Sequence, residues 1–124
     1  MAKPAPSAKR QAAEAKGRKA ELAAATALRL KGFKILGSRV KTPVGEIDLV
    51  ARRGRLLIFV EVKARQQHSD GLEAITPHQQ ARILAAAEAF LAQHPQYADL
   101  DMRFDAVICC PGRLPHHLAD AWRP

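Results

Sequence analysis

Residues 56–64 read LLIFVEVKA, a run in which only Glu61 and Lys63 are polar. A stretch so rich in large and β-branched apolar side chains is expected of a strand covered on both faces. It therefore belongs inside a sheet with a layer packed on each side. The segment before it, GEIDLVAR over 45–52, alternates apolar and polar residues and is joined to it through Arg53-Gly54. The pair reads as a β-hairpin. Charges set among so many apolar neighbours are seldom left without a role. Asp48, Glu61 and Lys63 are thus the residues that need explaining.

Taking Arg53-Gly54 as a two-residue loop pairs Arg52 with Arg55. Asp48 then falls opposite Phe59, Glu46 opposite Glu61, and Asp48 is the diagonal neighbour of Glu61. Strict alternation puts Glu46, Asp48 and Val50 on one face, with Ile47, Leu49 and Ala51 on the other. Phe59, Glu61 and Lys63 likewise share a face. Opposed side chains lie ~5 Å apart and diagonal ones ~7 Å, a span that one divalent cation bridges. Carboxylates this close repel unless they are protonated, paired or joined by a metal. Mg²⁺ or Mn²⁺ suits two carboxylates, a backbone carbonyl and waters. Lys63 is placed to orient an attacking water or to stabilise charge on a phosphate. Together these parts make a kit for phosphodiester hydrolysis. The plainer reading is a strand with its polar side in water, and E-x-K alone is a weak motif.

The remaining elements follow from spacing. RKAELAAATALRLK, residues 18–31, reads as a helix with Glu21 in its first turn and a stop at Gly32. Phe33–Leu36 is a short strand, followed by a polar loop containing Gly37, Pro43 and Gly45. After a loop across Gln66–Gly71, Thr76-Pro77 opens a second helix that runs to about Gln93. RFDAVICC, residues 103–110, is the fourth strand, and the tail after it offers Leu118 and Trp122 for packing. The order αβββαβ implies an α/β (α+β) fold, a mixed central sheet flanked by helices. The 124 residues suit one domain over 17–124, preceded by a flexible basic arm over 1–16 that lacks fixed structure to about Gly17.

The net charge of +8 is uneven: +5 over residues 1–20, −1 over 21–28, +7 over 29–65 and −3 over 66–124. A basic arm and a basic hairpin region suit a polyanion, since each neutralised phosphate releases a counterion. Arg39, Lys41, Arg52, Arg53, Arg55 and Arg65 are the candidate phosphate contacts. No apolar run approaches the roughly 20 residues of a membrane span, and the first residues carry no signal-peptide core. The two cysteines, Cys109 and Cys110, are adjacent; this excludes a disulfide framework and points to a reducing cytoplasm. With His116-His117 they invite a zinc reading, which is set aside because adjacent ligands rarely chelate one ion. His68, His78 and His94 read as isolated surface residues.

GEIDLVARRGRLLIFVEVKAR, with GRKAEL before it and RFDAVI after it, resembles the bacterial YraN-type family of endonuclease-like proteins from about Gly17 to Trp122. That family is placed in the PD-(D/E)xK nuclease superfamily, with restriction endonucleases and archaeal Holliday-junction resolvases. The resemblance implies a restriction-endonuclease-like αβββαβ core. It makes Asp48 and Glu61 the metal carboxylates, with the Val62 carbonyl completing the protein's share of the shell, and Lys63 the catalytic lysine. Glu21 matches the additional helix acid of resolvase-like members, and Glu46 has a less defined place. Two positions depart from the family pattern: Arg39 stands where an asparagine is usual, and Gln79 where a lysine follows Thr-Pro. Both bear on substrate handling, and Gln79 or Gln80 remains able to bond a phosphate.

The function expected is a Mg²⁺- or Mn²⁺-dependent nuclease acting on DNA, branched or single-stranded DNA included, with RNA left open. The alternative is a nucleic-acid-binding protein that keeps the fold without catalysis. A third reading is an interaction scaffold with a solubilising arm. No membrane partner is expected, and the resolvase-like resemblance leaves a homodimer open.

Overall fold

The computed structural model describes residues 7–67 and 75–124. Helix α1 spans Ala8–Leu30, followed by β1 (Lys34–Thr42), β2 (Gly45–Arg53) and β3 (Leu56–Ala64). Helix α2 (Pro77–Gln93), a 3-10 turn (Pro95–Tyr97), β4 (Asp101–Cys109) and β5 (His116–Trp122) complete the chain. The strands form one sheet in the order β1-β2-β3-β4-β5. Only β3 and β4 run parallel, joined through α2; the other neighbours are antiparallel. This α+β arrangement, a five-stranded mixed sheet with two helices, is consistent with a restriction-endonuclease-like core. The loop expected across Gln66–Gly71 lies, beyond Gln67, outside the described residues, as does His68.

The two helices cover opposite faces of the sheet. Ala24, Ala25 and Leu28 of α1 pack with Phe33, Leu49, Ala51, Ile58, Val60 and Val107. Ile83, Ala86, Ala87 and Phe90 of α2 pack with Val50, Leu57, Phe59, Phe104 and Trp122. The alternation of β3 is thus buried on both sides, as its composition requires, and each side chain the size of Phe59 or Leu28 contributes roughly 1.5–3 kcal/mol. α2 starts in a capping box: the Gln79 N–H donates to the Thr76 hydroxyl, and the Thr76 N–H to the Gln79 carboxamide oxygen.

Helix α1 begins earlier than the sequence suggested. Residues 8–16, read as part of an arm without fixed structure, are its first turns, and the Ser7 hydroxyl caps them by accepting from the Arg10 N–H. Alanine and lysine are good helix formers whether or not they are buried, and the absence of large apolar residues was a poor sign of disorder here. The helix ends in a Schellman motif. The Gly32 N–H donates to Arg29 and the Phe33 N–H to Leu28, with Gly32 at φ 91°.

Three further expectations are corrected. β1 does not stop at Leu36; it runs to Thr42 through a bulge between Ile35 and Gly37. The tail after Pro111 includes a fifth strand whose Trp122 ring stacks on Phe104 at 4.2 Å. His94 is no simple surface residue, because it is half-buried and stacked on Phe90 at 4.2 Å.

One buried carboxylate fastens β5. Asp105, fully buried, accepts from Arg103 Nε at 2.7 Å and Nη2 at 2.8 Å, lies 2.7 Å from His117 Nε2, and accepts from the Asp120 N–H at 2.9 Å. Asp120 sits at φ 54°, where β5 slips against β4 and turns this N–H inward. Burial pushes the Asp105 carboxyl up, but the bonds from His117, Arg103 and Asp120 outweigh it and hold it at about 2. Asp105→Ala should therefore cost about 3–5 kcal/mol in chemical denaturation, because it leaves the donors of His117, Arg103 and the Asp120 backbone without their shared acceptor. The folded carboxyl titrates below the unfolded one. Its contribution should be complete above about pH 5 and disappear as the pH falls through about 2, a pH dependence the alanine variant should lack.

Candidate metal centre

The hairpin's turn decides where the acids meet. The loop is Gly54-Arg55, with Arg53 paired to Leu56, so the expected pairing of Arg52 with Arg55 is out by one residue on each strand. Gly54 takes φ 60° as the first loop residue, the position that type II′ turns reserve for glycine. The face is kept, but the neighbours change: Val50, not Asp48, lies opposite Phe59.

From Arg53↔Leu56 the ladder reaches Leu49↔Val60 and stops, although both strands continue. At the next positions, Asp48 and Glu61, a side chain replaces the ladder. Asp48 Oδ2 accepts from the Val62 N–H at 2.8 Å. Alternation also breaks here, contrary to expectation. Ile47 packs with Val50 on the α2 side, whereas Leu49 and Ala51 pack on the α1 side. On β1 the matching residue is Arg39, at φ 49°, between Ser38↔Leu49 and Val40↔Ile47. A left-handed backbone favours asparagine among non-glycine residues. Arginine at this position therefore departs from the residue type the backbone favours.

The residues named from sequence fall into three groups. Asp48, Glu61 and Lys63 come together: Lys63 Nζ lies 3.3 Å from Glu61 Oε1, and both are largely covered. Glu21, on α1, faces the same region, and its charge reaches Asp48. Arg39 is tied to Glu21, its Nε donating to Oε2 at 2.8 Å. Glu46 is exposed and pairs in register with Lys41 on the outer strand. Arg65 follows β3 and donates to the Ala64 carbonyl, and the oxygen of Gln79 serves the α2 cap.

Arg52, Arg53 and Arg55 do not surround the acids. They lie at the hairpin's turn, the opposite end of the two strands, and each has structural work there. Arg52 donates to the Gly54 carbonyl, Arg55 to the Asp99 carbonyl, and Arg53 to the Lys31 carbonyl, with its guanidinium 4.3 Å over Phe33. Sequence proximity to the acids gave no hint that β2 and β3 carry them away from these arginines. Cys109 and His117 are also engaged elsewhere: the Cys109 thiol, pushed up by burial, donates to the Ala20 carbonyl, and His117 bridges Lys31 and Asp105.

Among the described residues no three His, Cys, Asp or Glu side chains gather as a metal cage. The donors present are the carboxylates of Asp48 and Glu61 and the Val62 carbonyl. They are hard oxygen ligands, suited to Mg²⁺ or Mn²⁺, ions that readily keep several waters. The Asp48 carboxyl is pushed up to about 7, first by burial and then by the charges of Glu61 and Glu21, against the Val62 N–H and Lys63. A divalent cation would relieve that excess of negative charge.

A family model described as "Uncharacterised protein family UPF0102" matches residues 20–109. A UPF0102 protein of Parvibaculum lavamentivorans is 55% identical over 108 residues, 87% of this chain and 81% of the relative. One of Rhodopseudomonas palustris (strain HaA2) is 52% identical over 117 residues, 94% and 91% of the two chains. A third, of Paramagnetospirillum magneticum, is 50% identical over 122 residues, 95% of each. The matched span contains Glu21, Asp48, Glu61 and Lys63.

An unfolded Asp48 ionises near 3.8, the folded one near 7. Between those values the folded protein holds a proton that the unfolded chain has lost, so stability falls as the pH rises and stays lower above 7. Asp48→Asn should thus be more stable than wild type by roughly 1–3 kcal/mol above pH 7, partial exposure discounted. The difference should vanish below about pH 4 in thermal melts. Added Mg²⁺ should raise the wild-type midpoint and leave that of the variant unmoved.

Proposed function

The chain belongs to the UPF0102 family, and from the geometry of its centre we propose that it is a metal-dependent nuclease of the PD-(D/E)xK type, hydrolysing phosphodiester bonds in DNA. The observation that carries this reading is the meeting of Asp48, Glu61 and Lys63 where β2 and β3 part. Such a gap brings two carboxylates and an ammonium to the surface on rigid strands, the precision that phosphoryl chemistry asks for.

In this reading Asp48, Glu61 and the Val62 carbonyl hold Mg²⁺ or Mn²⁺, which when bound lowers the pKa of a water and polarises the phosphate. Lys63, kept in place by Glu61, orients the attacking water and offsets charge developing on the phosphate oxygens. The Val62 N–H fixes the Asp48 carboxylate in one rotamer. Glu21 adds negative charge from α1, with Arg39 holding it. The binding-module alternative draws its support from Arg39 and Gln79, the two departures from the family pattern, whose side chains are engaged in an ion pair and a helix cap.

The test is cleavage of labelled duplex, single-stranded, flap and four-way-junction DNA and of RNA, with Mg²⁺ or Mn²⁺. Asp48→Asn and Lys63→Ala should each lower the rate by about 10²-fold or more while leaving substrate binding in place. Salt-sensitive binding without cleavage of any substrate would assign the protein to the binding module instead.

A further inference from the structure

Between α1 and β1 lies a groove of about 280 Å³ that the proposed chemistry does not use. Its α1 wall is a single stripe, Arg18, Leu22, Ala25 and Arg29, spaced four, three and four residues apart and so stacked along one helix face. Glu21 and Arg39 close one side, and Leu49, the neighbour of Asp48, forms part of the floor. The groove therefore runs beside the parted strands.

Its composition is unusual for a solvated surface. Leu22 is 67% exposed, although it lies between arginines on a helix whose other apolar face is committed to the core. Arg39 is neutralised by Glu21. Among the described residues, by contrast, neither Arg18 nor Arg29 has an acidic or carbonyl partner. At 1.5 Å per residue the two stand roughly 16 Å apart along the helix, a span that takes non-adjacent phosphates of one strand.

We propose that this groove binds a single strand of nucleic acid, with phosphates on Arg18 and Arg29 and an unstacked base on the aliphatic floor at Leu22, delivering the strand to Asp48 and Glu61. The charge calls for a polyanion, and the floor selects the kind. A duplex keeps its bases stacked inside and leaves an apolar floor without a partner, whereas a single strand offers base faces as well as phosphates. Only the strand's destination rests on the nuclease reading; the binding does not.

The experiment uses full-length protein in chelator, with fluorescence anisotropy of labelled oligothymidylate, oligouridylate and a duplex of equal length, over a salt series. Wild type should prefer the single strands, and the first two probes separate DNA from RNA as the source. For single strands each released phosphate contact contributes about 0.7 to the log–log salt slope. Arg18→Ala/Arg29→Ala should therefore lose about 1.4 from that slope and bind at least tenfold more weakly at low salt, with Arg18→Lys/Arg29→Lys restoring most of both. Leu22→Ser should weaken single-strand binding several-fold and leave duplex binding unchanged. An unchanged slope in the double alanine variant, or equal loss for duplex and single strand on Leu22→Ser, overturns the proposal. These positions are exposed, and matching circular dichroism excludes misfolding. If the groove behaves as stated but wild type with metal cleaves nothing, the nuclease reading fails alone. Cleavage with the groove variants binding normally fails the groove alone.

Discussion

One hydrogen bond organises the end of the hairpin where β2 and β3 part: the Val62 N–H given to the Asp48 carboxylate. Backbone donors inside a sheet must be satisfied, and a neighbouring carbonyl ordinarily does it. Here a side chain takes over, so β2 and β3 can separate without leaving an orphan. The separation leaves Glu61 and Lys63 largely covered but not fully buried, beyond the Leu57–Val60 stretch that is buried on both faces. The same bond fixes a carboxylate that burial and neighbouring charge would rather see protonated. Local destabilisation of this sort is commonly carried by the rest of a fold when the site has work to do.

The sheet supplies that support. β3 pairs in parallel with β4 from Leu56↔Asp101 to Ala64↔Cys109, past the point where its other partner leaves. β4 is in turn held to β5 by Asp105, whose four bonds tie Arg103, His117 and the Asp120 backbone into one unit. Lys31 at the end of α1 reaches His117, so helix and edge strand are fastened at the same place. One side of β3 is therefore stiff while the other is open.

Much of this was legible in the residues. LLIFVEVKA had to be central, Thr76-Pro77 had to start a helix, and the hairpin had to bring Asp48 near Glu61. The register was misread because Arg-Gly was taken as the whole loop, when glycine's left-handed φ makes it the first loop residue. The break in alternation at Asp48 was illegible: alternation presumes a continuous ladder, and this one is interrupted by the residue in question. Arg39 gave a faint signal, as an arginine where asparagine would suit the backbone. β5 gave almost none, because HHLADAW shows no clean apolar–polar alternation and is held through Asp105, distant in sequence. The arginines of the turn were misjudged for a related reason, since closeness along a hairpin says nothing about which end of it a side chain occupies.

The long first helix is anchored at one end only. Ala20, Ala24, Ala25 and Leu28 are buried against the sheet, while residues 7–14 are exposed throughout. About two turns of helix that bury nothing hold together only weakly in water, whatever their propensity. The amides of this overhang should therefore exchange with solvent faster than those of the anchored half. Because the overhang carries Lys9 and Arg10, with Lys16 just after it, it extends positive charge past the part of α1 that packs on the sheet. A polyanion would meet a diffuse attractive field before it meets any ordered contact.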